Sequence, residues 1–233
     1  MKTVVTVPTY DERENVGPLI EALLALPVED LEVVVVDDDS PDGTWRVVEE
    51  YAGRPGARVH LVRRTRERGR GHAGKAGFEL ALERGAERVV EMDGDFSHDP
   101  AAIPELLAAL EDGDLVLGSR GVGGAADVER GLARRVLTRC ANAYARLLLG
   151  VRVRDCNSGF RAYRREVLVA VVPKLRAAGP AIVHEVLFHA HRAGFRIREV
   201  PIAFRERAGG ESKLGWRQLL AGCLHVLQLR LRG

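Results

Sequence analysis

The sequence predicts an α/β fold, a mostly parallel sheet covered by helices in one domain. Short β-branched runs alternate with segments of helical apolar spacing, the pattern of a sheet wound with crossover helices. Val33-Val34-Val35-Val36 has no polar break, as a strand buried on both faces requires. The 233 residues, 46% hydrophobic and 29% charged, are enough for one substantial core.

In chain order, Val4–Val7, Glu32–Val36, Arg58–Val62, Arg88–Met92 and Asp114–Leu117 are the expected strands. Asn15–Leu26, Thr44–Tyr51, His72–Arg84 and Ala101–Leu110 are the helices between them. The second half is less regular. A glycine-rich loop at Gly118–Glu129 precedes an arginine-bearing helix over Arg130–Leu149. Pro180–Ala193 is expected as a helix, Phe195–Pro201 as a strand and Leu214–Leu231 as a terminal amphipathic helix. Ligands of such sheets bind beyond the carboxyl ends of the strands. Three acidic segments follow those ends, Pro8–Glu14, Asp37–Thr44 and Asp93–Asp99, and should gather on one edge.

A net charge of +2 argues against a nucleic-acid-binding surface. Lys2, Lys75, Lys174 and Lys213 are the only lysines among 35 basic residues, which leaves 31 arginines. That skew looks like codon bias, so a single arginine is weak evidence for function. Cys140, Cys156 and Cys223 have no paired or metal-ligand spacing and read as free thiols of a reducing compartment. No signal peptide and no uncharged run of the ~20 residues a membrane span needs is visible. The expectation is a cytosolic protein, or one lying on a membrane surface.

Asp93-Gly94-Asp95, directly after a strand, carries the clearest chemistry. Two carboxylates two residues apart suit Mg²⁺ or Mn²⁺, hard cations that take oxygen ligands and share them with substrate phosphates. An acidic turn is the alternative reading. After the first strand, Tyr10 could stack on a base and Glu12 accept a ribose hydroxyl, or the segment is only a helix start. Asp37-Asp38-Asp39-Ser40-Pro41-Asp42 repels itself unless a ligand or backbone amides donate to it, and a carboxylate there can read a ribose or base N–H. Ser40 and Asp42 also look like capping groups.

Gly69-Arg70-Gly71-His72-Ala73-Gly74 matches the dinucleotide fingerprint letter for letter, but not at the first strand-to-helix turn where that fingerprint belongs. It is expected as a flexible loop near a ligand. His184 and His189 are five residues apart, about 140° off alignment, so they cannot share a zinc on one helix face. His98 lies beside the acid pair, in a segment that also suits a helix start. Phe204–Lys213 is a basic, glycine-containing loop in which Arg207, Ser212 and Lys213 could close over a phosphate. After Glu211 there are no acids, and Lys213, Arg217, Arg230 and Arg232 flank a leucine-rich stretch with Trp216. That helix could lie on anionic lipid, pack on the domain or meet a partner helix.

Residues 7–15 (Val-Pro-Thr-Tyr-Asp-Glu-Arg-Glu-Asn), 36–44 (Val-Asp-Asp-Asp-Ser-Pro-Asp-Gly-Thr) and 92–100 (Met-Asp-Gly-Asp-Phe-Ser-His-Asp-Pro) resemble the family-two inverting glycosyltransferases. So do Gly-Ser-Arg at 118–120, Asn-Ser-Gly-Phe-Arg at 157–161 and Glu-Val-Pro-Ile-Ala-Phe at 199–204. With Arg-x-x-Gly-x-Ser-Lys at 207–213, the pattern is similar to the dolichol- or polyprenol-phosphate mannose synthases, over nearly the whole chain. The resemblance implies a GT-A, Rossmann-like catalytic domain over 1–213 and a C-terminal amphipathic helix over 214–233. It implies transfer of mannose from GDP-mannose to a polyprenyl or dolichyl monophosphate with inversion. A UDP-glucose-dependent relative, a nicotinamide oxidoreductase and a non-catalytic membrane- or nucleic-acid-binding module are the alternatives.

Position by position, the resemblance implies that Pro8, Tyr10, Glu12, Val36 and Asp38 hold the nucleoside, with Gly94 close to the sugar nucleotide. It assigns Asp93 and Asp95 to Mg²⁺ or Mn²⁺, and Arg120, Arg134, Arg207, Ser212 and Lys213 to donor and acceptor phosphates. Ser97 stands where relatives often place a glutamine ligand, Asn157 where a threonine is frequent, and Gly121 where an aromatic is common. The implied setting is the cytoplasmic face of a membrane, reached peripherally or through a membrane-anchoring partner.

Overall fold

The valine runs assemble into a seven-stranded sheet in a computed structural model of the chain. It describes residues 1–123, 125–127, 132–204 and 216–232, without the side chains of 126–127, 132–135, 216–221 and 232. The order is β1 (Thr3–Thr9), α1 (Arg13–Leu24), β2 (Leu31–Asp37), α2 (Thr44–Ala52), β3 (Val59–Arg63), α3 (Arg70–Glu83) and β4 (Arg88–Glu91). A 3-10 turn at Pro100–Ala102 then leads into α4 (Ile103–Ala109) and β5 (Leu115–Ser119). There follow β6 (Ala126–Asp127), α5 (Leu132–Leu149), β7 (Arg161–Arg164), α6 (Arg165–Val171), α7 (Ile182–Arg192), β8 (Ile197–Pro201), β9 (Ala203–Phe204) and α8 (Trp216–Arg232).

The strands lie in the order β3-β2-β1-β4-β7-β5-β8. Every neighbour pair is parallel except those of β7, which runs antiparallel to both β4 and β5. Successive side chains of a strand point to opposite faces. Val34 and Val36 therefore enter the core beneath α3, α5 and α7, while Val33 and Val35 enter the one beneath α1 and α4. All four are wholly buried, as expected of a strand covered on both faces.

Three expectations change. The segment Arg161–Val171 forms β7 and α6, neither of which the periodicity reveals, because Arg161, Arg164 and Arg165 read as surface residues. Arg161 is in fact wholly buried, and its guanidinium donates to the carbonyls of Ser158, Cys156 and Val183. The Gly69–Gly74 run is not a loop but the first turn of α3. The expected loop over Gly118–Glu129 gives its first two residues to β5 and contains the short strand β6, which pairs with β9.

α8 packs against α5 and α7. Tyr144 donates to the Cys223 carbonyl, His225 meets Glu185 at 3.3 Å and Val226 is buried. No described helix is long and apolar enough to cross a membrane.

Candidate active site

The first two acidic segments interlock at the carboxyl ends of β1 and β2, where Pro8 pairs with Val36 and Thr9 with Asp37. Asp37 is wholly buried and accepts from the Ser40 amide, the Ser40 hydroxyl and the Thr9 hydroxyl. The Ser40 hydroxyl in turn accepts from the Asp11 amide, Thr44 Oγ1 from the Glu12 amide, and Asp42 from the amides of Arg13 and Thr44. Asp38 accepts from Arg64 and from the Gly69 amide, and Asp39 pairs with Arg63 and Arg68. The self-repulsion of this segment is thus answered from within the protein.

This placement sorts the expected nucleoside residues. Tyr10 is 43% exposed, just past the end of β1. Glu12 lies at the start of α1, where its carboxylate accepts from Asn15. Asp38 is only 6% exposed and its carboxylate is turned toward α3. The Val36 side chain is wholly buried, so only its main chain faces the edge.

The third segment folds onto the first. A Cβ on Gly94 would meet Thr9 Cγ2 at 3.0 Å, so this glycine lets the turn after β4 lie against the end of β1. Asp95 is buried, with one oxygen oriented by the Ser97 amide at 3.0 Å. Ser97 serves the pair through its main chain. Asp93 stays one-third exposed. Gly159 faces it, and a Cβ there would reach Asp93 Oδ2 at 3.4 Å. His98 is buried, stacked on Phe160 at 5.0 Å, with Nδ1 4.0 Å from Asp93. Burial holds its pKa below the usual imidazole value despite the two aspartates. Among the described residues no group of three or more His, Cys, Asp or Glu side chains is placed to cage a metal. Two carboxylates beside an open edge fit Mg²⁺ or Mn²⁺, which complete their shell with substrate phosphate and water.

Arg70 lies at the start of α3, between two glycines that have no room for a side chain. A Cβ on Gly69 would sit 2.4 Å from the Ala178 carbonyl oxygen, and one on Gly71 2.0 Å from that of Ala177. That close approach explains the glycine run without a nicotinamide. The Arg70 guanidinium pairs with Glu91 at 2.8 Å and reaches Asp93 at 3.3 Å, while Tyr163 donates to the other Glu91 oxygen. Burial opposes its charge, yet Glu91 and Asp93 push its pKa above the ordinary guanidinium value.

Arg120 follows β5. Asp155, wholly buried, holds its guanidinium through Nε at 2.7 Å and Nη2 at 2.8 Å, and accepts from its amide. The Arg120 guanidinium also lies 5.0 Å from the Phe204 ring centroid. Asp155 accepts from Asn142, Asn142 accepts from Asn157, and Asn157 Oδ1 meets His184 Nε2. The arginine is fixed by a polar chain reaching across to His184 on α7. Of the other arginine and loop assignments, Arg134 lies in α5 with its side chain outside the described residues, as are Arg207, Ser212 and Lys213 entirely.

The sequence reading missed Arg70, Glu91, Asn142 and Asp155. For Asp155 a signal existed, since it stands two residues before the Asn157–Arg161 motif. Arg70 carries no signal of its own in a chain with 31 arginines.

Residues 4–171 match the profile of glycosyl transferase family 2. The chain belongs to that family. It is 40% identical over 234 residues to the polyprenol monophosphomannose synthase of Mycolicibacterium smegmatis, covering all of this chain and 88% of that one. It is also 40% identical to the undecaprenyl-phosphate mannosyltransferase of Micrococcus luteus, over 92% of this chain and 88% of that one. The glucosyl-3-phosphoglycerate synthase of Mycobacterium tuberculosis, solved with Mn²⁺, UDP-glucose and phosphoglyceric acid, superposes with a TM-score of 0.71 at 23% identity. That match spans 97% of this chain and 80% of that one, and identifies the fold as GT-A-like. The protein is therefore a glycosyltransferase.

Proposed function

We propose that the chain transfers mannose from GDP-mannose to a polyprenyl or dolichyl monophosphate with inversion. The observation that carries this reading is the Asp93–Asp95 pair, brought against the β1 and β2 edge with Arg120 two strands away. The relatives that span nearly the whole chain are named for mannosyl transfer to lipid phosphates, which supports sugar and acceptor alike. Tyr10, Glu12 and the main chain at Pro8 and Val36 take the nucleoside, with Gly94 close to the sugar diphosphate. Asp93 and Asp95 hold Mg²⁺ or Mn²⁺. The bound cation supplies Lewis-acid neutralisation of the departing diphosphate.

Arg120, oriented by Asp155, positions the acceptor phosphate; Arg134 and Ser212 are assigned to the same phosphate, and Arg207 and Lys213 to the charge of the departing diphosphate. A phosphate monoester has a second pKa of about 6 and is largely dianionic near neutral pH. It attacks without a general base, which fits a site whose nearest histidine, His98, is buried. We assign 1–213 to catalysis and 214–233 to attachment at the cytoplasmic face of the membrane, through lipid or an anchoring partner. Exposed Leu147, Leu224 and Leu231 on α5 and α8 support that role.

The test begins with thermal stabilisation by GDP and by UDP, each with Mn²⁺ and with chelator. A Mn²⁺-dependent shift with GDP, followed by transfer from GDP-mannose to polyprenyl phosphate, is expected. A shift with UDP alone would replace the donor by UDP-glucose. Asp95→Ala should lower turnover by at least about a hundredfold; near-normal turnover would end the metal assignment.

A further inference from the structure

Arg70 has no part in the mechanism above, yet its guanidinium reaches Asp93 of the carboxylate pair. Its Nη2 lies 2.8 Å from Glu91 and 3.3 Å from Asp93, one residue on either side of Met92. It cannot swing away with its backbone. The Gly69 amide donates to Asp38 and the Gly71 amide to the Ala178 carbonyl, and both glycines are pressed against the 177–178 backbone. That backbone is itself clamped, because Glu185 accepts from the amides of Arg176 and Ala177. A positive charge is thus built into the protein beside the site that is to receive another.

We infer that Arg70 is a resident counter-cation of the metal site, holding Asp93 until metal binds and so making metal affinity depend on the diphosphate. The inference rests on the metal role proposed for Asp93 and Asp95. In the free protein an incoming divalent ion meets a carboxylate already paired with a guanidinium, which Asp93 shares with Glu91. A diphosphate adds negative charge on the open side and restores the balance. By linkage, nucleotide and metal must raise each other's affinity by the same factor. Arg70 enlarges that factor by weakening metal binding to the nucleotide-free protein. Donor and metal then arrive together, and the site resists being filled by metal alone.

The experiment is calorimetric titration of the full chain with MnCl₂, without and with saturating GDP. The variants are Arg70→Met, Arg70→Met combined with Glu91→Gln, Arg70→Lys and Asp93→Asn. Without nucleotide, the methionine variant should bind Mn²⁺ at least about tenfold more tightly, the scale on which a neighbouring charge moves a carboxylate equilibrium. The enhancement of Mn²⁺ binding by GDP should shrink by the same factor, and the lysine variant should stay near wild type. The double variant carries no uncompensated Glu91, which covers a failure of the single variant to fold; with Asp93 freed of its partner it should still bind Mn²⁺ more tightly than wild type, by less than the single variant because the Glu91 charge is gone. Wild-type or weaker Mn²⁺ binding in the methionine variants would overturn the inference while leaving the metal site intact. Asp93→Asn binding Mn²⁺ as wild type does would remove the metal assignment itself, and the inference with it.

Discussion

Arg120 shows how one residue's chemistry depends on its partner. A guanidinium held through two nitrogens and its own amide by a single carboxylate has one orientation, which positions a phosphate better than a mobile side chain does. Burial would raise the Asp155 pKa, but the hydrogen bonds and charge of Arg120 outweigh it and hold the carboxyl below its usual value. A carboxyl whose pKa is depressed on folding adds stability above its unfolded pKa of about 3.9, and that stability is lost as pH falls through the folded value. Asp155→Asn should therefore cost about 3–5 kcal/mol at neutral pH, as expected for breaking a buried pair. It should also flatten the loss of stability below about pH 4, and both effects can be read from denaturation curves across pH. Transfer should fall as Arg120 is released, while Mn²⁺ binding at Asp93 and Asp95 stays unchanged.

Among the elements, legibility followed periodicity. The Val33–Val36 strand and the helices of the first half declared themselves because buried faces repeat at periods of two and 3.6. The site loops were legible for a related reason, since they had to follow strand ends. β7 was not, because it has four residues and two are arginines, one of which satisfies buried carbonyls that no local pattern announces. Asp155 was invisible as a partner for Arg120 because 35 residues separate them. The start of α3 was misread because its glycines answer to a backbone a hundred residues away in sequence, not to a ligand. Gly71→Ala tests that account. In an open helix the change would stabilise by up to about 1 kcal/mol. Here the new methyl would meet a carbonyl oxygen at 2.0 Å, so it should destabilise by about 1–3 kcal/mol in chemical denaturation.

At the scale of the whole molecule, the antiparallel strand β7 lies between the two halves of the site. Arg161 pairs with Glu91 on one side and Leu117 on the other, so the chain leading to Asp93 and the chain leading to Arg120 run out from opposite flanks of one strand. Neighbouring strands are about 4.8 Å apart, which sets the two ends roughly 10 Å from each other. β7 is thus a gauge block: hydrogen bonds on both sides fix its width. Under the proposed reading, a gap of that width takes a single sugar ring between the phosphate that leaves and the phosphate that attacks. An acceptor already carrying a sugar would have to place a second ring in the same gap. Prolonged incubation with excess GDP-mannose should accordingly give a lipid product whose mass shows one mannose and no longer series. The thickness of one strand then sets the length of the product.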